Sequence, residues 1–120
     1  MNTLMISISG IRGIVGESLT PDVVSRFTAA FGSLVGGGRI VLGRDTRGSG
    51  EYVGHAAIAG LMAAGCEVVD LGICPTPTVQ ILAEETSGGV VITASHNPVE
   101  WNGLKFIGPD GLFLDSDQAG

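Results

Sequence analysis

The segment Thr93-Ala94-Ser95-His96-Asn97-Pro98 sets a hydroxyl, an imidazole and an amide directly after the β-branched run Val90-Val91-Ile92. A serine at the end of a buried strand is a candidate nucleophile, and a nearby imidazole is a candidate proton carrier. Ser95 lacks the flanking glycines of the G-x-S-x-G hydrolase elbow. On extended backbone, adjacent Ser95 and His96 side chains also point to opposite sides. A Ser-His-Asp hydrolase is therefore disfavoured. The plain alternative, in which Ser95 and Asn97 only make turn hydrogen bonds ahead of Pro98, stands beside the catalytic one.

Positive charge is placed to match. Of six basic residues, Arg12, Arg44, Arg47 and Lys105 fall in or just after the segments 10–16, 44–48 and 95–105, and only Arg26 and Arg39 lie elsewhere. With 72–76, these segments are expected beyond the carboxyl ends of strands, where open α/β sheets gather their ligands. Arginine's planar fork suits a phosphate, and glycine-rich turns expose backbone N–H donors. Arg44, Asp45 and Arg47 read equally as a solvated ion-pair cluster. Arg12, between Gly10 and Gly13, has no such routine role. No G-x-x-x-x-G-K-[ST] loop occurs, and Gly10-x-x-Gly13-x-x-Gly16 has a different register from G-x-G-x-x-G, so nucleotide binding by these routes is excluded. His55 reads as a structural or surface histidine. Trp101 either packs locally or lines a cleft.

Alternating elements must hold these residues. A strand over 4–9 leads into the glycine-punctuated loop 10–16. Thr20 is a good N-cap, Pro21 suits the first helical position, and Asp22 favours the positive end of the dipole. Val23, Val24, Phe27, Ala30, Phe31, Leu34 and Val35 then repeat at helical spacing until three glycines stop them. A strand over 39–43 follows, then a small-residue helix capped by Ser49 and running to about Ala64. Next come a strand over 66–71, a helix opened by Thr76-Pro77 and running to about Glu85, and a strand over 89–94. Units of this length imply right-handed βαβ crossovers. Residues 104–107 and 112–114 flank the turn sequence Gly108-Pro109-Asp110-Gly111 and read as a β-hairpin. The expected fold class is α/β: a three-layer α/β/α domain with a largely parallel mixed sheet and an appended β-hairpin. Asp115-Ser116-Asp117-Gln118 resembles a helix cap with no helix behind it, as expected for the front part of a longer protein.

Composition bounds the function classes. The 120 residues are 44% hydrophobic and 15% charged, which excludes intrinsic disorder. Twenty glycines without a Gly-X-Y period exclude collagen. No apolar run approaches the ~18 residues of a membrane span. A net charge of −6 argues against a nucleic-acid partner. It does not argue against a small anion, because fields beyond about 8 Å are screened at physiological salt. Cys66 and Cys74 are not spaced as a metal site or a C-x-x-C pair and are expected as free thiols in or near the core. With no basic, apolar leader at the N-terminus, the expectation is a cytoplasmic protein without a membrane partner.

Gly10-Ile11-Arg12-Gly13, Gly43-Arg44-Asp45-Thr46-Arg47, Thr93-Ala94-Ser95-His96-Asn97-Pro98 and Asn102-Gly103-x-Lys105 occur in that order. In this the chain resembles the α-D-phosphohexomutase superfamily, which includes phosphoglucomutase, phosphomannomutase and phosphoglucosamine mutase. The resemblance covers essentially the whole chain. It implies that residues 1–120 are the first of four domains, the phosphoserine-bearing one, ending near its C-terminal helix with the other three domains absent. It further implies that Ser95 carries a phosphoryl group handed to a hexose phosphate. A sugar bisphosphate then forms, reorients and returns a phosphoryl group from its other end. Lys105 and His96 would act as general acid or base, and Arg12 would stabilise charge at the phosphoryl group. Arg44, Arg47, Asn97 and Asn102 would contact phosphate or substrate. Mg²⁺ would be held by a phosphate oxygen on Ser95, its other ligands lying outside this chain, which has no D-x-D-x-D loop. The resemblance implies phosphomannomutase/phosphoglucomutase first and phosphoglucosamine mutase next, with no turnover by the fragment alone. A non-catalytic anion-binding or assembly domain of the same fold is the alternative from a different class.

Overall fold

Thr20 stands in extended conformation and its hydroxyl accepts the Val23 N–H at 3.3 Å, opening helix α1 (Pro21–Leu34) with proline in the first turn. Gly36, Gly37 and Gly38 end it with φ between 78° and 90°, a region that side chains other than glycine's rarely allow. The computed structural model describes residues 3–7, 9–93, 98 and 100–114; Ser95, His96, Asn97 and the cap-like segment 115–118 lie outside the described residues. The remaining elements are β1 (Met5–Ser7), β2 (Gly10–Ile14), β3 (Gly38–Arg44), α2 (Gly50–Ala63), β4 (Cys66–Ile73), α3 (Thr76–Ala83), β5 (Gly88–Ile92) and β6 (Trp101–Ile107).

The strands form one six-stranded sheet in the order β1-β2-β6-β5-β3-β4. β3 pairs parallel with β4 and β5, whereas β6 lies antiparallel between β5 and β2, and β1 antiparallel on β2. Three layers result. On one face Ile11, Ile40, Leu42, Val90, Ile92, Leu104 and Phe106 pack with Val24 and Phe31 of α1 and Val53, Ala57 and Leu61 of α2. The Phe31 and Phe106 rings stack there at 4.9 Å between centroids. On the other face Val41, Val91 and Ile107 pack with Val79 and Ala83 of α3, which lies over β3 and β5.

Four expectations need correction. Residues 10–14 are a strand, not a loop, because both glycines that suggested a turn stand where a side chain would collide with a packed neighbour. A Cβ on Gly10 would press on the Leu104 carbonyl of β6, and one on Gly13 would press on the Ser18 hydroxyl. The sheet is mixed rather than largely parallel, because β6 enters antiparallel between β5 and β2 and β1 adds antiparallel on β2, leaving only the β3–β4 and β3–β5 pairings parallel. The expected hairpin is present as a short arm around an antiparallel bridge of Ile107 and Phe113. There the Gly108 N–H donates to the Leu112 carbonyl at 2.9 Å and the Leu114 N–H to the Phe106 carbonyl at 3.1 Å. Thr76 lies inside α3, and extended Pro75 takes the N-cap position without a side-chain bond. Ser49 precedes α2 but makes no cap bond, its hydroxyl accepting from Asn102 instead.

Cys66 is buried and Cys74 half-buried, both as free thiols. Burial pushes both thiols above the ordinary cysteine range; for Cys74 the Asp70 charge adds to this and a backbone hydrogen bond at Arg44 opposes it. No helix among the described residues is long and apolar enough to cross a membrane.

Candidate active site

Strand alternation sorts the candidate residues by face. In β6, Leu104 and Phe106 enter the core under α1 and α2, so Gly103 and Lys105 face the α3 side with Ile107. In β2, Ile11 enters the same core as Leu104, so Arg12 also faces the α3 side. Val91 of β5 does likewise, and Thr93, two residues on, is in phase with it.

Register then brings three of these side chains together. Arg12 pairs with Gly103, and Gly10 pairs with Lys105. From the other edge of β6, the Thr93 N–H donates to the Gly103 carbonyl at 2.9 Å. Arg12 and Thr93 therefore flank Gly103 from its two sides, two strand spacings or about 9.6 Å apart, with Lys105 one pleat along β6. Gly103 is needed between them: a Cβ there would sit 2.7 Å from Arg12 Cβ. Arg12, Thr93 and Lys105, together with Met5, Ser7 and Gly10, line a cavity of about 310 Å³. Small-molecule pockets start near ~300 Å³. The Lys105 ammonium lies 5.6 Å from the Phe113 ring centroid, within cation–π range.

A guanidinium, an ammonium and a hydroxyl on one open sheet face suit an anion, and phosphate above all. They do not suit Mg²⁺, which takes oxygen donors and favours carboxylates. Among the described residues no group of three or more His, Cys, Asp and Glu side chains is arranged to hold a metal ion.

The other sequence-derived candidates go elsewhere. Arg44 is in phase with Leu42 and so points to the α2 side, away from Arg12 and Lys105. There it lines a separate cavity of about 220 Å³ with Gly50, Glu51, His55 and Asp70. His55 is exposed on α2, 3.7 Å from Glu51 one turn earlier, as a surface histidine would be. Arg47 turns onto the backbone: its Nη1 donates to the Pro98 carbonyl at 2.8 Å and the Trp101 carbonyl at 3.1 Å. Asn102 is fully buried and its Nδ2 donates to Ser49 Oγ at 2.9 Å, tying the start of β6 to the start of α2. Trp101 is half-buried at the head of β6. Ser95, His96 and Asn97 follow Thr93 directly and lie outside the described residues. Sequence reasoning did not single out Thr93 or Gly103 as parts of the site. The signal was present, because Thr93 continues the alternation of Val91, but only the pairing with β6 shows what it faces.

Fold and site define a three-layer α/β/α domain with an anion-suited pocket on the open half of its sheet. The chain belongs to the phosphoglucomutase/phosphomannomutase family, whose alpha/beta/alpha domain I model matches residues 5–120. A Methanopyrus kandleri protein named "Probable phosphoglucosamine mutase" is 48% identical over 112 residues, covering 92% of this chain and 25% of its own. A "Phosphoglucomutase/phosphomannomutase" of Thermococcus kodakarensis is 46% identical over 116 residues, covering 91% and 25%. Among solved structures, a phosphoglucomutase/phosphomannomutase family protein of Burkholderia thailandensis matches with a TM-score of 0.79 at 36% identity, over 95% of this chain and 29% of that one. A Thermus thermophilus crystal structure matches with a TM-score of 0.86 at 30% identity, over 99% and 29%. The chain thus spans about a quarter of the length of the curated relatives it matches.

Proposed function

We propose that this chain is the phosphoserine-bearing domain of a phosphohexomutase, with Ser95 carrying the phosphoryl group. One observation carries the reading: Arg12, Lys105 and Thr93 share a single cavity, and Thr93 stands two residues before Ser95. In the forward step the bond from Ser95 Oγ to phosphorus breaks and a bond from a sugar hydroxyl to phosphorus forms. Of Lys105 and His96, the one that is unprotonated takes the hydroxyl proton and the other, protonated, gives a proton to the departing Ser95 Oγ. The second step reverses these roles at the other end of the sugar bisphosphate, returning phosphate to Ser95. Phosphoryl transfer passes through a loose transition state with charge spread over the equatorial oxygens. Arg12 and Lys105, fixed on adjacent strands, supply preorganised positive charge for it. Mg²⁺, when bound, supplies further neutralisation at the phosphoryl oxygens. Of its ligands this reading assigns only a phosphate oxygen on Ser95 to this chain. Asn97 is kept as a phosphate contact.

The partners in this reading are a hexose phosphate and the other domains of the full-length protein, with neither nucleic acid nor membrane. Two substrate classes compete, because the relatives' names divide between phosphoglucosamine and phosphoglucose/phosphomannose chemistry. The purified full-length protein, supplied with Mg²⁺ and a trace of hexose bisphosphate, is expected to convert glucose, mannose or glucosamine 1-phosphate to the 6-phosphate. The 120-residue chain alone is expected to give no conversion. Phosphate binding by the full-length protein without conversion of any of the three would instead support a non-catalytic anion-binding domain.

A further inference from the structure

We propose that Arg47 is a positioning residue which, with Asp45, staples the two ends of the segment bearing Ser95 and does not bind substrate; this rests on the phosphohexomutase reading. The upstream end is held by Asp45, whose backbone N–H donates to the Ile92 carbonyl at 3.1 Å. The downstream end is held by Arg47, whose Nη1 donates to the carbonyls of Pro98 and Trp101 at 2.8 and 3.1 Å. Those two residues form a closed turn, the Trp101 N–H donating to the Pro98 carbonyl at 2.9 Å.

Asp45 and Arg47 are locked to each other. Asp45 Oδ1 accepts the Arg47 backbone N–H at 3.1 Å, and Oδ2 lies 3.4 Å from Arg47 Nε. The Arg47 side chain is only 12% exposed, packed into the fold, while the Asp45 carboxylate it faces is 35% exposed. The turn is tied to the Arg12 strand as well, the Val15 N–H donating to the Glu100 carbonyl at 3.0 Å. One short unit after β3 thus fixes both ends of the Ser95 segment, while the turn it grips is docked on the strand that presents Arg12.

This assignment explains why an arginine is used. Its fork offers several donors in one plane, so one side chain can face the Asp45 carboxylate with one nitrogen and two carbonyls with another. A lysine's three donors radiate from one nitrogen, so it lacks the separated, coplanar donors with which Arg47 faces the carboxylate and the two carbonyls. Misplacing a reacting group by about 1 Å costs on the order of 10²-fold in rate even when the altered residue is remote from the chemistry.

The test uses Arg47→Lys and Arg47→Met in the full-length protein. Both are expected to lower kcat by about 10–100-fold while KM for the hexose phosphate stays within about threefold. Amide hydrogen exchange at residues 100–103 should speed up in both, with α1 unchanged. If Arg47→Met fails to fold, Arg47→Lys decides the matter alone. A KM raised more than about tenfold, with kcat and exchange unaltered, would overturn the proposal and return Arg47 to substrate binding. If the wild type shows no mutase activity, the phosphohexomutase reading fails. Unchanged exchange at 100–103 would even then refute the staple separately.

Discussion

Replacing Lys105 with methionine in the full-length protein is expected to lower kcat by about 10²–10⁴-fold, with a much smaller change in KM. The ammonium stands on the face shared with Arg12 and Thr93 and lines their cavity. Methionine keeps the length of the side chain and its packing near Phe113 but removes both the charge and the transferable proton. Removing one preorganised electrostatic donor costs on the order of 10²–10³ in kcat, and loss of proton transfer overlaps that range. Lys105→Arg separates the two contributions. If Lys105 acts by charge, arginine restores most of the rate; if it moves the proton, arginine stays nearly as slow as methionine. Steady-state kinetics on hexose 1-phosphate reads both variants. A kcat within threefold of wild type for Lys105→Met would remove Lys105 from the reaction.

A second large effect is expected on stability. Gly60→Ala should lower the unfolding free energy by about 2–3 kcal/mol, although alanine is the better helix former by about 1 kcal/mol. Gly60 lies where α2 crosses α1. A Cβ there would stand 2.8 Å from Ser25 Cα and press on the Ser25 carbonyl and on Thr28 Oγ1. Two of these atoms are backbone, and the third is fixed because Thr28 is fully buried with its hydroxyl donating to the Val24 carbonyl at 3.0 Å. The two helices must move apart over a shared core. Gly54→Ala, six residues earlier in α2, is the internal control. Its Cβ would meet Ile92 Cδ1 at 3.5 Å, an ordinary contact, so that change should be neutral or stabilising by up to about 1 kcal/mol. Urea unfolding of both variants measures the difference; equal midpoints would mean that the helix crossing is looser than described.

How much of this was legible in the sequence differs by element, for physical reasons. α1 was readable end to end because its signals are local: a capping threonine, a proline in the first turn, a helical apolar stripe and three glycines. β5 was readable because a fully buried strand writes itself as a run of β-branched residues. β2 was not. Gly10 there answers to the Leu104 carbonyl of β6, remote in sequence, and a local reading takes such a glycine for a turn residue. The same limit governs the site. Arg12, Arg44, Arg47 and Lys105 look alike as cations near strand ends, yet alternation sends Arg44 to the α2 side, and the turn at Pro98 draws in Arg47. Within Asn102-Gly103-x-Lys105, three neighbouring residues take three separate tasks. Asn102 ties β6 to Ser49, Gly103 leaves room beside Arg12, and Lys105 faces the cavity. Spacing alone marks such a cluster as informative but does not divide its labour.

Phosphopeptide mapping by mass spectrometry across residues 93–105 of the full-length protein reads out whether Ser95 carries the transferred phosphate. One phosphate on Ser95 is expected after incubation with a hexose bisphosphate, with its loss to the sugar when excess hexose monophosphate is added. Ser95 left unmodified by the bisphosphate, or phosphate found on a different residue of that peptide, would contradict that role for Ser95.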